Sequence, residues 1–91
     1  MPKVVMYCTA SCPYCVRADM LLRRKGIQYE QIRVDVQPEL RAEMIQRANG
    51  RTSVPQIFID DYHVGGCDDL YALEGQGNLD GLLEPKTGTD S

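Results

Sequence analysis

A chain of 91 residues has room for one compact domain, because a single hydrophobic core organises roughly 50 to 200 residues. Its 43% hydrophobic and 25% charged content is ordinary for a soluble globular protein, and no apolar run approaches the roughly 20 residues needed to cross a bilayer. The net charge is −3 with scattered basic residues, which excludes the basic footprint of a nucleic-acid binder and leaves small molecules or proteins as partners.

The opening "MPKVVMYC" has one lysine and a short apolar run that meets Thr9-Ala10-Ser11-Cys12. It lacks the apolar stretch of an export signal, so a cytoplasmic location is expected and residues 3–8 read as a strand buried on both faces. Pro13 suits the first position of a helix, which makes Cys12 its N-cap and places Val16, Met20 and Leu21 on one face. Arg23, Arg24 and Lys25 suit the last turn, and Gly26 stops it. In "QYEQIRVDV" the alternation of Ile32, Val34 and Val36 predicts a second strand. Pro38 opens a second helix with Leu40, Met44, Ile45 and Ala48 on its apolar face, closed by Asn49 and Gly50. Gln56–Ile59 and Tyr62–Val64 form a hairpin turned by Asp60-Asp61. Cys67, Asp68 and Asp69 begin a helix with an acidic first turn, and "NLDGLLE" gives a last helical turn that ends at Pro85.

A β-α-β half followed by a β-β-α half predicts a mixed four-stranded sheet with helices packed on it, a three-layer α/β/α sandwich. The domain is expected over residues 1–85. Residues 86–91, "KTGTDS", carry no large apolar side chain and are expected to be a disordered tail.

The four cysteines are Cys8, Cys12, Cys15 and Cys67. Without an export signal, a close pair points to redox or metal chemistry rather than to structural bridges. A sulfur at the N-cap sits where a capping oxygen accepts the N–H groups of the second and third helical residues, here Tyr14 and Cys15. Those donors and the helix dipole stabilise a thiolate. Cys12 is therefore the expected nucleophile. Cys15, one turn in, lies within bridging distance and resolves a mixed disulfide formed at Cys12. A zinc ribbon needs a second Cys-X-X-Cys pair, and Cys8 and Cys67 complete a four-sulfur site only if the fold gathers them. Dithiol exchange is favoured, with no metal. Cys8 reads as a small apolar residue, and the lone His63 as a surface residue of the hairpin.

At "CPYC", "SVP" and "GGCDD", in this element order, the chain resembles the glutaredoxins, in particular their small bacterial dithiol class, from about Lys3 to Leu83. The resemblance implies a thioredoxin-like fold and glutathione-dependent reduction of glutathionylated proteins and protein disulfides by a monomer, with Cys12 and Cys15 in the roles assigned above. It implies a cis Pro55 that leaves the Val54 backbone free to pair with the cysteinyl unit of glutathione. Ser53 stands where relatives usually have Thr. Gly65 and Gly66 allow close approach, the N–H groups of Cys67 and Asp68 offer a carboxylate site, Asp68 takes the glutathione amine, and Tyr14 flanks the tripeptide. Many relatives carry a lysine where this chain has Thr9, so Arg51, or a basic residue such as Arg47, is expected to replace that cation against the glycine carboxylate. Two competing readings are a thioredoxin-type donor reduced by a flavoprotein and an iron–sulfur carrier; "GGCDD" argues against the first and "CPYC" against the second.

Overall fold

The structure, a computed structural model, describes residues 3–83; the expected tail and the Glu84-Pro85 end of the last helix lie outside them. The elements in chain order are β1 (Val4–Cys8), α1 (Pro13–Arg24), β2 (Glu30–Arg33), α2 (Pro38–Arg47), β3 (Gln56–Ile59), β4 (Tyr62–Gly65), α3 (Cys67–Gly75) and α4 (Leu79–Leu83). The strands form one sheet in the order β2-β1-β3-β4. β1 runs parallel to β2, and β3 is antiparallel to both β1 and β4, which is the mixed sheet expected.

Alternate residues of the buried β1 feed two cores. Val4, Met6 and Cys8 join Cys15, Ala18, Leu21 and Leu22 of α1, Leu70 of α3, and Leu79 and Leu83 of α4 on one face. Val5 and Tyr7 join Met44 and Ala48 from α2 and its C-cap, with Phe58, on the other. The sheet is thus the middle layer of three, because successive strand side chains point to opposite faces.

Two expectations about local pattern need correction. On α1 the buried face is Cys15, Ala18, Leu21 and Leu22, while Val16 and Met20 are exposed. The small residues Cys15 and Ala18 mark the core side, because only they let the helix lie close on the sheet. β2 also stops at Arg33, and Val36 is exposed. Its partner β1 ends at Cys8, so the pairing ends at Cys8↔Arg33, and Val34 makes a last bond to the Cys8 carbonyl at 3.0 Å. Asp35 then turns the chain, taking Arg33 at 2.7 Å and the Ala10 N–H at 3.3 Å.

Other signals act as expected. Pro13 and Pro38 open their helices, and Gly26, Asn49 and Gly50 adopt positive φ just beyond the helix ends. The Asp60-Asp61 turn closes the hairpin, with Asp60 at φ 53°. At that end Asp60 and Lys3 exchange hydrogen bonds of 2.8 and 2.9 Å. Lys25, after α1, reaches Glu74 of α3 and Asp80 of α4 at 2.8 Å each, tying both C-terminal helices to the first.

Gly65 joins β4 to α3 at φ +110°, and a Cβ there would stand 2.3 Å from Asp69 Oδ2. Both the backbone angle and the space require glycine. Gly65→Ala is expected to destabilise the protein by about 1–3 kcal/mol in urea unfolding; an unchanged midpoint would show that this junction relaxes freely.

Candidate active site

β1 ends at Cys8 in the centre of the sheet, and the four residues that follow carry the chain up to α1. Cys12 is the N-cap of α1 in extended conformation, and its sulfur accepts the Cys15 N–H at 3.3 Å. Of the two donors expected, Tyr14 and Cys15, only the second is engaged. The Cys12 thiol also donates to the Val54 carbonyl at 3.7 Å, across to the loop before β3. The Val54–Pro55 peptide bond is cis, as the resemblance implied.

The four thiols are free and differ in setting. Cys12 is half-buried, whereas the other three are buried. Burial, reinforced by neighbouring Cys12, pushes the Cys15 thiol up to about 12. Burial likewise raises Cys8 and Cys67. Cys8 packs in the core as a small apolar side chain. Among the described residues no group of three or more His, Cys, Asp or Glu is placed to hold a metal ion.

At Val54, whose carbonyl meets the Cys12 sulfur, opens a cleft of about 280 Å³ lined by Tyr14, by Arg51, Ser53, Val54 and Pro55, and by Gly66, Cys67, Asp68 and Asp69. Nine residues from three separate stretches of chain therefore meet in one place. A Cβ at Gly66 would lie 3.4 Å from the Pro55 carbonyl, so this side of the cleft packs directly against the loop before β3. Asp69, which sequence reading used only as part of an acidic turn, accepts the Gly66 N–H at 2.9 Å and Arg51 Nη1 at 3.2 Å. The Gly66 bond first, and then Arg51, hold its carboxyl below the usual range.

Thr9 and Arg47 lie elsewhere. Thr9 borders a second hollow with Ala10, Cys15 and Arg33. Arg47 donates to Tyr7 Oη at 2.8 Å and lies 4.2 Å from the centre of the Phe58 ring, so of the two candidate cations only Arg51 faces the cleft. His63 is half-buried rather than a surface residue, with Nε2 2.7 Å from Gln56 Oε1.

Residues 4–64 match the glutaredoxin family model. The chain belongs to the glutaredoxin family. It is 60% identical to a glutaredoxin of Pseudomonas aeruginosa over 91% of this chain and 98% of that protein. It is 52% identical to glutaredoxin 3 of Escherichia coli over 92% of this chain and the whole of that one. A crystal structure of a buckwheat glutaredoxin–glutathione complex superposes with a TM-score of 0.83 at 29% identity, covering 90% of this chain and 76% of that one. The sandwich is accordingly the thioredoxin-like fold of glutaredoxins, and the protein is a thiol–disulfide oxidoreductase. Among the described residues no helix is long and apolar enough to cross a membrane.

The environments of the four thiols give an order of reactivity that can be read directly, since only thiolates are alkylated. Reduced glutaredoxin treated with limiting iodoacetamide at pH 6 is expected to be carbamidomethylated first at Cys12. Cys8, Cys15 and Cys67, their values raised by burial, stay protonated there and should react only as the pH climbs above the ordinary thiol range of about 8.5. Peptide mapping that finds any of these three labelled first would overturn that order.

Proposed function

We propose that this glutaredoxin reduces glutathione mixed disulfides and protein disulfides at the expense of glutathione, with Cys12 as nucleophile and Cys15 as resolving thiol. The observation that carries the reading is the cleft that starts at the Val54 carbonyl, next to the Cys12 sulfur, and ends at the first turn of α3. Its chemistry matches glutathione group by group. The Val54 backbone suits the cysteinyl unit in strand fashion. The N–H groups of Cys67 and Asp68, in the first turn of α3, suit one carboxylate, and Arg51 suits the other. Asp68 suits the ammonium, and the Tyr14 ring lines the same cleft. A donor reduced by a flavoprotein has no use for this cleft. The buckwheat relative bound to glutathione supports the same reading.

In the reaction proposed, the Cys12 thiolate attacks the glutathione sulfur of a mixed disulfide, forming Cys12–S–S–glutathione and releasing the partner thiolate. A second glutathione thiolate then attacks that glutathione sulfur, forming oxidised glutathione and restoring the Cys12 thiolate. On a protein disulfide, Cys12 forms a mixed disulfide with the substrate, Cys15 displaces it to give Cys12–S–S–Cys15, and two glutathione molecules reduce that bond. The raised value of Cys15 suits a thiol that waits until Cys12 has been oxidised.

The first test is NADPH consumption coupled through glutathione and glutathione reductase, with Cys12→Ser and Cys15→Ser variants. Cys12→Ser is expected to lose both activities. Cys15→Ser should keep most activity on a small glutathione mixed disulfide and lose most of it on a protein disulfide. Equal loss of both in Cys15→Ser would refute the division of labour, and turnover by Cys12→Ser would refute the reading itself.

Asp68 provides a second test, since it lines the cleft without touching the reacting sulfurs. Asp68→Ala is expected to raise the KM for a glutathione mixed disulfide roughly two- to fivefold, the size of one exposed charge pair, and to leave the alkylation rate of Cys12 as it was. An unchanged KM would remove Asp68 from the glutathione site.

A further inference from the structure

Gln56 opens β3 directly after Pro55 and is fully buried, the one polar residue in the buried core set among the described residues. Burying a primary amide is costly unless its atoms find partners, so the identity of those partners shows what the residue is for. Its Nε2 donates to the Ser53 carbonyl at 3.0 Å and to Ser53 Oγ at 3.3 Å. Its Oε1 lies 2.7 Å from His63 Nε2. The Ser53 carbonyl can only accept, which fixes the amide orientation, and that orientation in turn requires a proton on His63 Nε2.

His63 is itself held firmly. Its ring stacks on Phe58, centroids 4.8 Å apart and planes at 21°, and Phe58 is its strand partner. Phe58 is buried and also carries the Arg47 guanidinium. Burial first, and then Arg51, lower the imidazole from its ordinary value, with Arg47 adding to this and Asp69 opposing it. A line of contacts therefore runs from the Phe58 core, through His63 and Gln56, to Ser53, whose neighbour Val54 meets the Cys12 sulfur.

We propose that His63 and Gln56 are positioning residues that hold the Ser53-Val54-Pro55 edge of the cleft in the shape that binds substrate. The inference rests on the reading of that edge as part of the glutathione site. Neither residue touches the reacting sulfurs, so they are expected to act on KM and not on the chemistry. A loop free to shift gives up the strand-like pairing offered by Val54 while the Cys12 N-cap stays as it is.

Three variants separate this from general support of the fold. His63→Ala removes the donor. Gln56→Glu keeps an acceptor for His63 but sets a carboxylate against the Ser53 carbonyl. His63→Gln restores a donor close to the reach of Nε2. The first two are expected to raise the KM for the mixed disulfide of glutathione and 2-mercaptoethanol about three- to tenfold, the effect of one net hydrogen bond, with kcat and Cys12 alkylation unchanged and the backbone amide signals of Ser53 and Val54 displaced in NMR spectra. His63→Gln should return both KM and amide signals towards wild type. Amide signals that stay in place in His63→Ala, a KM unchanged although they move, or a loss confined to kcat would each overturn the proposal. If His63→Ala does not fold, the imidazole nitrogens of the wild-type protein decide: a neutral ring protonated at Nε2 supports the link to Gln56, and one protonated at Nδ1 overturns it. A wild-type enzyme indifferent to glutathione would instead strike at the glutathione reading, while the amide signals would still report whether the link holds the loop.

Discussion

The Cys12 sulfur touches two pieces of backbone, the Cys15 N–H at the start of α1 and the Val54 carbonyl before β3, the second of them 42 residues further along the chain than Cys12 itself. The rest of the architecture brings those two pieces together. β1 and β3 are neighbours and antiparallel, with Tyr7 opposite Gln56, so the place where one strand ends is the place where the other begins. An antiparallel pair at the centre of the sheet is the simplest way to bring a helix start and a loop to one sulfur. Burial on both faces keeps the register from slipping, since a one-residue shift would turn Met6 and Tyr7 onto the wrong cores.

Four identical side chains acquire different properties within this frame. Desolvation disfavours a thiolate wherever no donor or cation answers it. At Cys8, Cys15 and Cys67 burial is the largest influence and outweighs the donors and cations nearby, so all three are shifted upward. Cys12 alone is half-buried beside an open cleft. The selectivity of the site thus comes from suppressing three thiols as much as from exposing one.

Much of this was legible in the sequence because the relevant signals are local. Pro13 after Cys12, Pro38, the Gly26 and Asn49-Gly50 stops and the Asp60-Asp61 turn each act over a few residues, and each marks a real boundary. The α1 face was misread because Val16 and Met20 are larger and more apolar than Cys15 and Ala18, while close packing on a sheet selects for small size. The end of β2 was invisible because it depends on where β1 runs out of partners. Asp69, Gln56 and His63 were underrated for a similar reason: their meaning lies in pairings with Gly66, Arg51 and Ser53 that only the folded chain creates. A polar residue at the head of an otherwise apolar "QIFI" strand was the one signal available for Gln56. Arg51 and Arg47 were indistinguishable by type, and the packing of Arg47 on Phe58 separates them.

The bonds between Asp60 and Lys3 mark the far end of the same central strands. The length of β1, about 13 Å at some 3.3 Å per residue, separates them from the Cys12 end. The molecule therefore has a working pole and an inert pole, and the hairpin turn belongs to the inert one. A dye, a surface linker or a fused partner attached at Asp61 would point away from incoming disulfides. That geometry makes the turn a natural handle for turning this glutaredoxin into a tethered redox probe.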